Sequence, residues 1–233
     1  MNRLDVSLIS DLPPFTGMDI EDMQDLLDQA VSQRREKGVT IFREGEEAGF
    51  FFLLLDGHIR VVKINPNGEQ MIARYVSSGE LYGIAKAIGR QTYPANAIAA
   101  VDCISLAWPT RIWDDVISRY PGFAANSYQT VGKRLADTQD RLMALANEKV
   151  EQRVAHIILK LANQTGKKTE EGILIDFPIS RQDISEMTGT TLHTVSRLLS
   201  NWEEMGWVKS GRQKITLVEG HKLMLVSTNS MKE

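Results

Sequence analysis

Gly189-Thr190-Thr191-Leu192-His193-Thr194-Val195-Ser196-Arg197-Leu198-Leu199-Ser200-Asn201-Trp202 is the stretch that decides how the rest of the chain is read. At about 100° per residue, Val195, Leu198, Leu199 and Trp202 share one face of a helix, while His193, Ser196, Arg197 and Ser200 share the opposite face. One face packs and the other presents small hydroxyls, an imidazole and a guanidinium, groups suited to base edges and phosphates. An ordinary amphipathic helix would show the same packed face, so the neighbouring segments have to decide.

Upstream, Ser180-Arg181-Gln182-Asp183 has the form of a capping box with Asp183 in place of the usual Glu, which predicts a helix over Arg181 to Thr188. Gly189 permits a tight turn into the next helix, the arrangement of a helix-turn-helix. Downstream, Trp207-Val208-Lys209, Ser210-Gly211-Arg212-Gln213 and Lys214 to Val218 read as a hairpin, and a hairpin in that place is a wing. Before this unit come an apolar helix over Val150 to Leu161, a polar loop over Asn163 to Glu171 and a strand-like run, Ile173 to Phe177.

Ala124, Tyr128, Val131, Leu135, Thr138, Leu142 and Leu145 recur at alternating spacings of 4 and 3, a heptad seam on one long helix. An exposed seam of this kind pairs with its twin, which predicts a parallel homodimer; packing within the chain is the alternative. Further upstream, Gly38, Gly45, Gly57, Gly68, Gly79 and Gly83 punctuate short β-prone runs from Gly38 to about Trp108, the pattern of an antiparallel barrel or sandwich. Asn65-Pro66-Asn67-Gly68 reads as a hairpin turn, and Met18 to Val31 as a helix. The fold class expected is therefore α+β, with a β-roll sensor domain over 1–120, a dimerisation helix over 121–147 and a winged helix-turn-helix domain over 148–233.

Composition narrows the function. With 42% hydrophobic and 24% charged residues in 233, the chain is of ordinary globular type. Its longest apolar run, Phe50 to Leu55, is too short to span a bilayer, and Met1 to Asp5 lacks the basic start of a secretory signal, so a cytoplasmic location with no membrane partner is expected. The single cysteine, Cys103, excludes intrachain disulfides and an iron–sulfur cluster held by four cysteines of one chain; its apolar surroundings read as a buried structural thiol. A net charge of −3 argues against indiscriminate nucleic-acid binding, though residues 148–233 carry 12 basic and 11 acidic groups against 15 and 19 in 1–147. Metal-dependent catalysis in the β-roll would need clustered histidines, and His58 is the only one before residue 148, so no enzyme is expected.

Taken together, the glycine-punctuated β-roll, heptad helix and winged helix-turn-helix resemble the cyclic-AMP receptor/fumarate-nitrate regulator superfamily of bacterial transcription factors. The most specific parts are Ser180-Arg181-Gln182-Asp183-Ile184, Thr194-Val195-Ser196-Arg197 and the glycines around Gly57 and Gly79-Glu80-Leu81-Tyr82-Gly83. Thr190 to Arg197 is most similar to the nitric oxide reductase regulator type, which implies an activator of denitrification or nitrogen-oxide response genes. The resemblance implies base reading by Arg197 and Ser196, with His193 standing where many relatives carry a glutamate, so that base preference there should change. It implies phosphate contacts by Arg181, Thr191 and Thr194, with Ser180, Gln182, Thr190 and Arg212 grouped beside them as positioning residues. Double-stranded DNA, a twin subunit and RNA polymerase are the partners implied.

In the sensor half the resemblance locates departures. Ile84 and Tyr93 stand where cyclic-nucleotide binders carry a ribose-holding glutamate and a phosphate-neutralising arginine, which argues against cyclic AMP; Arg90 is the nearest substitute cation. If the signal is nitric oxide, haem is the attractive cofactor, and His58 is its candidate axial ligand, although its place beside a turn reads first as a surface histidine. A regulator of the same superfamily answering to another ligand, or a ligand-binding module acting through protein contacts, is the alternative.

Overall fold

The computed structural model describes residues 5–228. Most of the amino-terminal segment read above against a secretory signal lies outside them, as do the outer ends of the 1–120 and 148–233 segments. The chain divides into two compact units, residues 1–63 with 73–137 and residues 64–72 with 138–233.

The first unit contains α1 (Ile20–Asp28), β1 (Val31–Arg35), β2 (Thr40–Phe42), β3 (Phe50–Asp56), most of β4 (His58–Ile64) and β5 (Gln70–Ser77), then β6 (Leu81–Tyr82), β7 (Asn96–Ala99), β8 (Cys103–Pro109) and α2 (Trp113–Arg119). It ends within the long α3 (Pro121–Asn147). Its strands form two four-stranded sheets, ordered β1-β8-β3-β6 and β2-β7-β4-β5. The apolar run of β3 is explained by burial on both faces: Phe51 and Leu53 join a core with α1, α2 and the start of α3, whereas Phe52 and Leu54 point into the β-roll interior. β8 alternates likewise, with Leu106 and Trp108 on the helical side and Cys103 and Ala107 inside. Trp108 Nε1 donates to the Leu26 carbonyl at 2.7 Å and so ties α1 to the sheet.

Several expectations are corrected. The Met18 to Val31 helix stops at Asp28, and Val31 opens β1, whose polar sequence hid a strand that β8 recruits by antiparallel pairing, Val31 opposite Ala107. The last β-prone stretch before Trp108 is two strands, β7 and β8, with a break between them where the Asp102 carboxylate accepts from the Lys37 amide at 2.9 Å. The hairpin turn at Asn65 is closed by that side chain, which accepts from the amides of Asn67 and Glu69.

The second unit contains α4 (Val150–Thr165), β9 (Gly166–Thr169), β10 (Gly172–Ile175), α5 (Arg181–Thr188), α6 (Leu192–Glu204), β11 (Val208–Gly211), β12 (Lys214–Leu217) and α7 (Gly220–Ser227). Its sheet runs β11-β12-β10-β9. The expected polar loop over Asn163 to Glu171 is instead the end of α4 and the edge strand β9, which pairs with β10; a fully exposed strand carries no apolar alternation to reveal it. α7, which packs on α4, was also not anticipated. Among the described residues no helix is long and apolar enough to cross a membrane.

Trp108→Phe should lower the stability of the first unit by about 1–3 kcal/mol, because it strands the Leu26 carbonyl and leaves space in a closed core. Urea unfolding followed by circular dichroism measures this.

Candidate nucleic-acid interface

The helix-turn-helix is built from local devices that the sequence specifies. Ser180 caps α5, its hydroxyl accepting from the Asp183 amide at 3.0 Å while the Asp183 carboxylate accepts from the Ser180 amide at 2.7 Å. α5 ends at Gly189, whose left-handed φ of 63° turns the chain toward α6. Thr191 then caps α6 by accepting from the Thr194 amide at 3.1 Å. Val195, Leu198, Leu199 and Trp202 are buried, which fixes the rotation of α6 about its axis. His193 and Arg197 are exposed on its outer side and, among the described residues, neither makes a hydrogen bond or ion pair, while Ser196 and Ser200 flank them half-buried.

The predicted positioning residues divide by role. Gln182 and Thr191 are exposed, and Thr190 and Thr194 are half-buried beside them. Arg212 is exposed in the β11–β12 turn, next to Gln213, which adopts a φ of 59° and offers its carbonyl to the Ile179 amide. Ser180 is occupied as a cap, and Arg181 is turned inward: its Nη2 donates to Ser210 Oγ at 2.8 Å and pairs with Glu203 Oε2 at 3.3 Å. Glu203 Oε1 accepts from the Ser210 amide at 2.6 Å. Arg181 and Glu203 thus fasten the start of α5, the end of α6 and the first wing strand to one another.

Sequence reasoning passed over Leu192. It is the first residue of α6 and 46% exposed, because the first turn of the helix projects past the core that covers its later apolar residues. Its position on the helical wheel beside Ser196 was the available signal.

Residues 152–225 match the family model of the Crp-like helix-turn-helix domain, and residues 32–120 match that of the cyclic nucleotide-binding domain. The chain belongs to the CRP/FNR superfamily. It is a DNA-binding transcriptional regulator. This CRP/FNR protein is 24% identical over 208 residues to Electron transport regulator A of Shewanella oneidensis, covering 88% of this chain and 83% of that one. It is 25% identical over 206 residues to the Fumarate and nitrate reduction regulatory protein of Escherichia coli, covering 88% and 81%. Among solved structures, FixK2 from Bradyrhizobium japonicum shares the fold with a TM-score of 0.75 at 22% identity, over 84% of this chain and 96% of that one. A CooA mutant from Carboxydothermus hydrogenoformans does so with a TM-score of 0.73 at 22% identity, over 87% and 90%.

In this CRP/FNR chain the expected sensor pocket of Ile84, Arg90 and Tyr93 is not assembled. Ile84 belongs to the helical-side core, Tyr93 to the β-roll interior, and Arg90 is exposed. Tyr93 stacks on Phe42 with ring centroids 3.7 Å apart, and its hydroxyl donates to the Phe50 carbonyl at 2.7 Å. Phe52 and Tyr82 complete an aromatic stack inside the roll, against which Gly83 lies so closely that a Cβ there would stand 2.9 Å from Phe52 Cδ2. Cys103 is buried, its thiol directed at the carbonyls of His58 and Val101 and pushed up in pKa by that burial, so it is a structural thiol and not a thiolate ligand. A buried cation that the sequence did not reveal is Arg134 of α3. It donates to the Leu81 carbonyl in the Gly79–Gly83 segment, and burial, reinforced by Arg74, brings its pKa down to about 9.

The seam of α3 is uneven. Ala124 and Val131 are half-buried, Val131 against the helical-side core, while Tyr128, Leu135 and Leu142 are 53%, 60% and 62% exposed.

Glu203→Gln should lower the stability of the DNA-binding unit by about 1 kcal/mol, since Glu203 joins charge-assisted bonds that are partly open to solvent. The same substitution should broaden amide signals of the wing strands in an NMR spectrum, because it frees Ser210.

Proposed function

We propose that the protein acts as a homodimer on a near-palindromic duplex, with its two α6 helices in successive major grooves, and activates genes of denitrification or the nitrogen-oxide response through contact with RNA polymerase in the cytoplasm. The observation that carries the DNA reading is the unengaged outer face of α6. Arg197 can donate two bonds to guanine O6 and N7, worth about 1–3 kcal/mol of discrimination. Ser196 lies beside it, His193 can donate to or accept from a base edge, and Leu192 offers apolar surface to a thymine methyl. Gln182, Thr190, Thr191, Thr194 and Arg212 stand around that face as phosphate contacts, and Ser180 and Arg181 hold the helices that carry them. Tyr128, Leu135 and Leu142 support the dimer, because apolar side chains exposed at heptad spacing are covered when two such helices pair. A two-fold dimer in turn calls for a two-fold operator. The assignment to nitrogen-oxide genes rests on the likeness of Thr190 to Arg197 to the nitric oxide reductase regulator type.

Selection from random duplexes should recover a near-palindrome bound with steep salt dependence. Arg197→Ala should weaken binding to it about 10- to 150-fold, the factor that corresponds to losing one bidentate base contact. His193→Glu should alter the preferred base at one position of each half-site; recovery of an identical site would show that His193 reads no base. Leu135→Lys with Leu142→Lys should yield a monomer by analytical ultracentrifugation.

A further inference from the structure

The wing carries a backbone outlier that its turn alone does not explain. β11 and β12 pair with Gly211 opposite Lys214, so Arg212 and Gln213 make up the whole turn. A two-residue hairpin turn calls for a positive φ, which glycine or asparagine supplies at little cost. Gln213 adopts it instead, at a φ of 59°, and among the described residues it is the one non-glycine to do so. Such strain persists where the surroundings impose it, and it concentrates at positions that contact ligands. Here the imposing contact is the Ile179 amide, which donates to the Gln213 carbonyl at 3.2 Å just before α5 begins. That bond uses backbone only, so glycine would make it without strain. The Gln213 side chain is exposed and, among the described residues, makes no hydrogen bond. Its amide, the group that glycine lacks, is free to act outside the chain.

The place of the turn relative to α6 is fixed at two points. At the first, the Ser210 amide donates to Glu203 Oε1 at 2.6 Å and Ser210 Oγ accepts from Arg181 at 2.8 Å. At the second, Ile179 holds the tip. The wing is thereby fastened to the end of α6 and to the start of α5. At 13 residues α6 is about 20 Å long, whereas the major groove is roughly 12 Å wide. With the first half of the helix on base edges, an element fastened to its far end stands over the bordering phosphates and the minor groove beyond them. The charges agree with that place. Lys209, lower on the wing, is paired with Glu171 at 2.8 Å. Arg212 and Lys214, on either side of Gln213, are exposed and, among the described residues, have no hydrogen bond or ion pair.

We infer that Gln213 is a specificity-determining residue of the DNA interface: it enters the minor groove beside each half-site and reads A·T against G·C there, while Arg212 and Lys214 hold the phosphates on either side. The floor of that groove shows adenine N3 and thymine O2 as acceptors, and a G·C pair adds the guanine N2 amino group as a donor. The Gln213 amide nitrogen donates to the two acceptors. The cations beside it favour the narrower, more electronegative groove of A·T-rich sequence. The preference therefore falls on base pairs outside those assigned to His193, Ser196 and Arg197.

This inference rests on the DNA-binding reading above, and the test separates the two. Selection from random duplexes with native protein should recover an A·T preference just outside the core of each half-site. Between duplexes that differ only there, G·C in place of A·T should weaken binding about fivefold or more, the low end of the loss for one mismatched base pair. Inosine·C at the same position removes the minor-groove amino group and leaves the major-groove edge as it is in G·C, so it should restore the affinity. Gln213→Gly relieves the positive φ and should select the same core without discriminating A·T from G·C beside it. Gln213→Asn keeps an amide and tolerates the left-handed region, so it should retain part of the discrimination. The role of Gln213 is overturned, and the DNA-binding reading left standing, by any of three results: no preference outside the core in native protein, a preference that survives Gln213→Gly, or inosine·C bound as weakly as G·C. Failure of the native protein to select any duplex overturns both.

Discussion

Burial of Val195, Leu198, Leu199 and Trp202 is the constraint on which the DNA-binding surface depends. Each such side chain contributes about 1.5–3 kcal/mol when removed from water, and together they leave α6 a single rotation about its axis. Every functional property of its outer face follows from that rotation, because His193, Ser196 and Arg197 are held outward by what their neighbours bury. The helix is then positioned end-on by polar groups. Thr191 caps its start, and Glu203 near its end joins Arg181 and Ser210. Hydrophobic burial sets the face, and hydrogen bonds set the ends.

The sensor unit uses the same division of labour differently. β3 buries alternate residues in two separate cores, so one strand joins the helices to the β-roll interior. Inside the roll the stacked rings of Phe42, Phe52, Tyr82 and Tyr93 form the centre of that core. Tyr82 is hydrogen-bonded to Ser105 and its hydroxyl is kept well above the usual phenol range by burial, so the stack stays neutral at any physiological pH. A cyclic phosphate would require a cation in that apolar setting, and Tyr93 instead directs its hydroxyl to a backbone carbonyl. Arg74 of β5 and Arg134 of α3 meet the Gly79–Gly83 segment, Arg74 at Glu80 and Arg134 at the Leu81 carbonyl.

Legibility varied with how local each cause was. The ends of α5, the Gly189 turn and the wing were readable because caps, glycines and short-range alternation carry them within a few residues. β1 and β9 were not readable, because their polar sequences become strands only through pairing with β8 and β10. The roles of Arg181 and Arg134 were hidden for a related reason: a long cationic side chain looks the same in sequence whether it reaches a phosphate, a carboxylate of its own domain or a buried carbonyl.

By itself the sequence determined the element types of the recognition unit, the outward residues of α6 and the existence of a long helix with an apolar seam, since periodicity and capping act over one or two turns. Tertiary structure alone decided which apolar face meets which core, that Ile84 and Tyr93 belong to different clusters, that Arg181 is engaged within its domain, and that Arg141 joins the hairpin tip to the end of α5. Those are contacts between residues far apart in the chain, and their partners are set by packing and by the need of buried polar groups for hydrogen bonds, which no local pattern encodes.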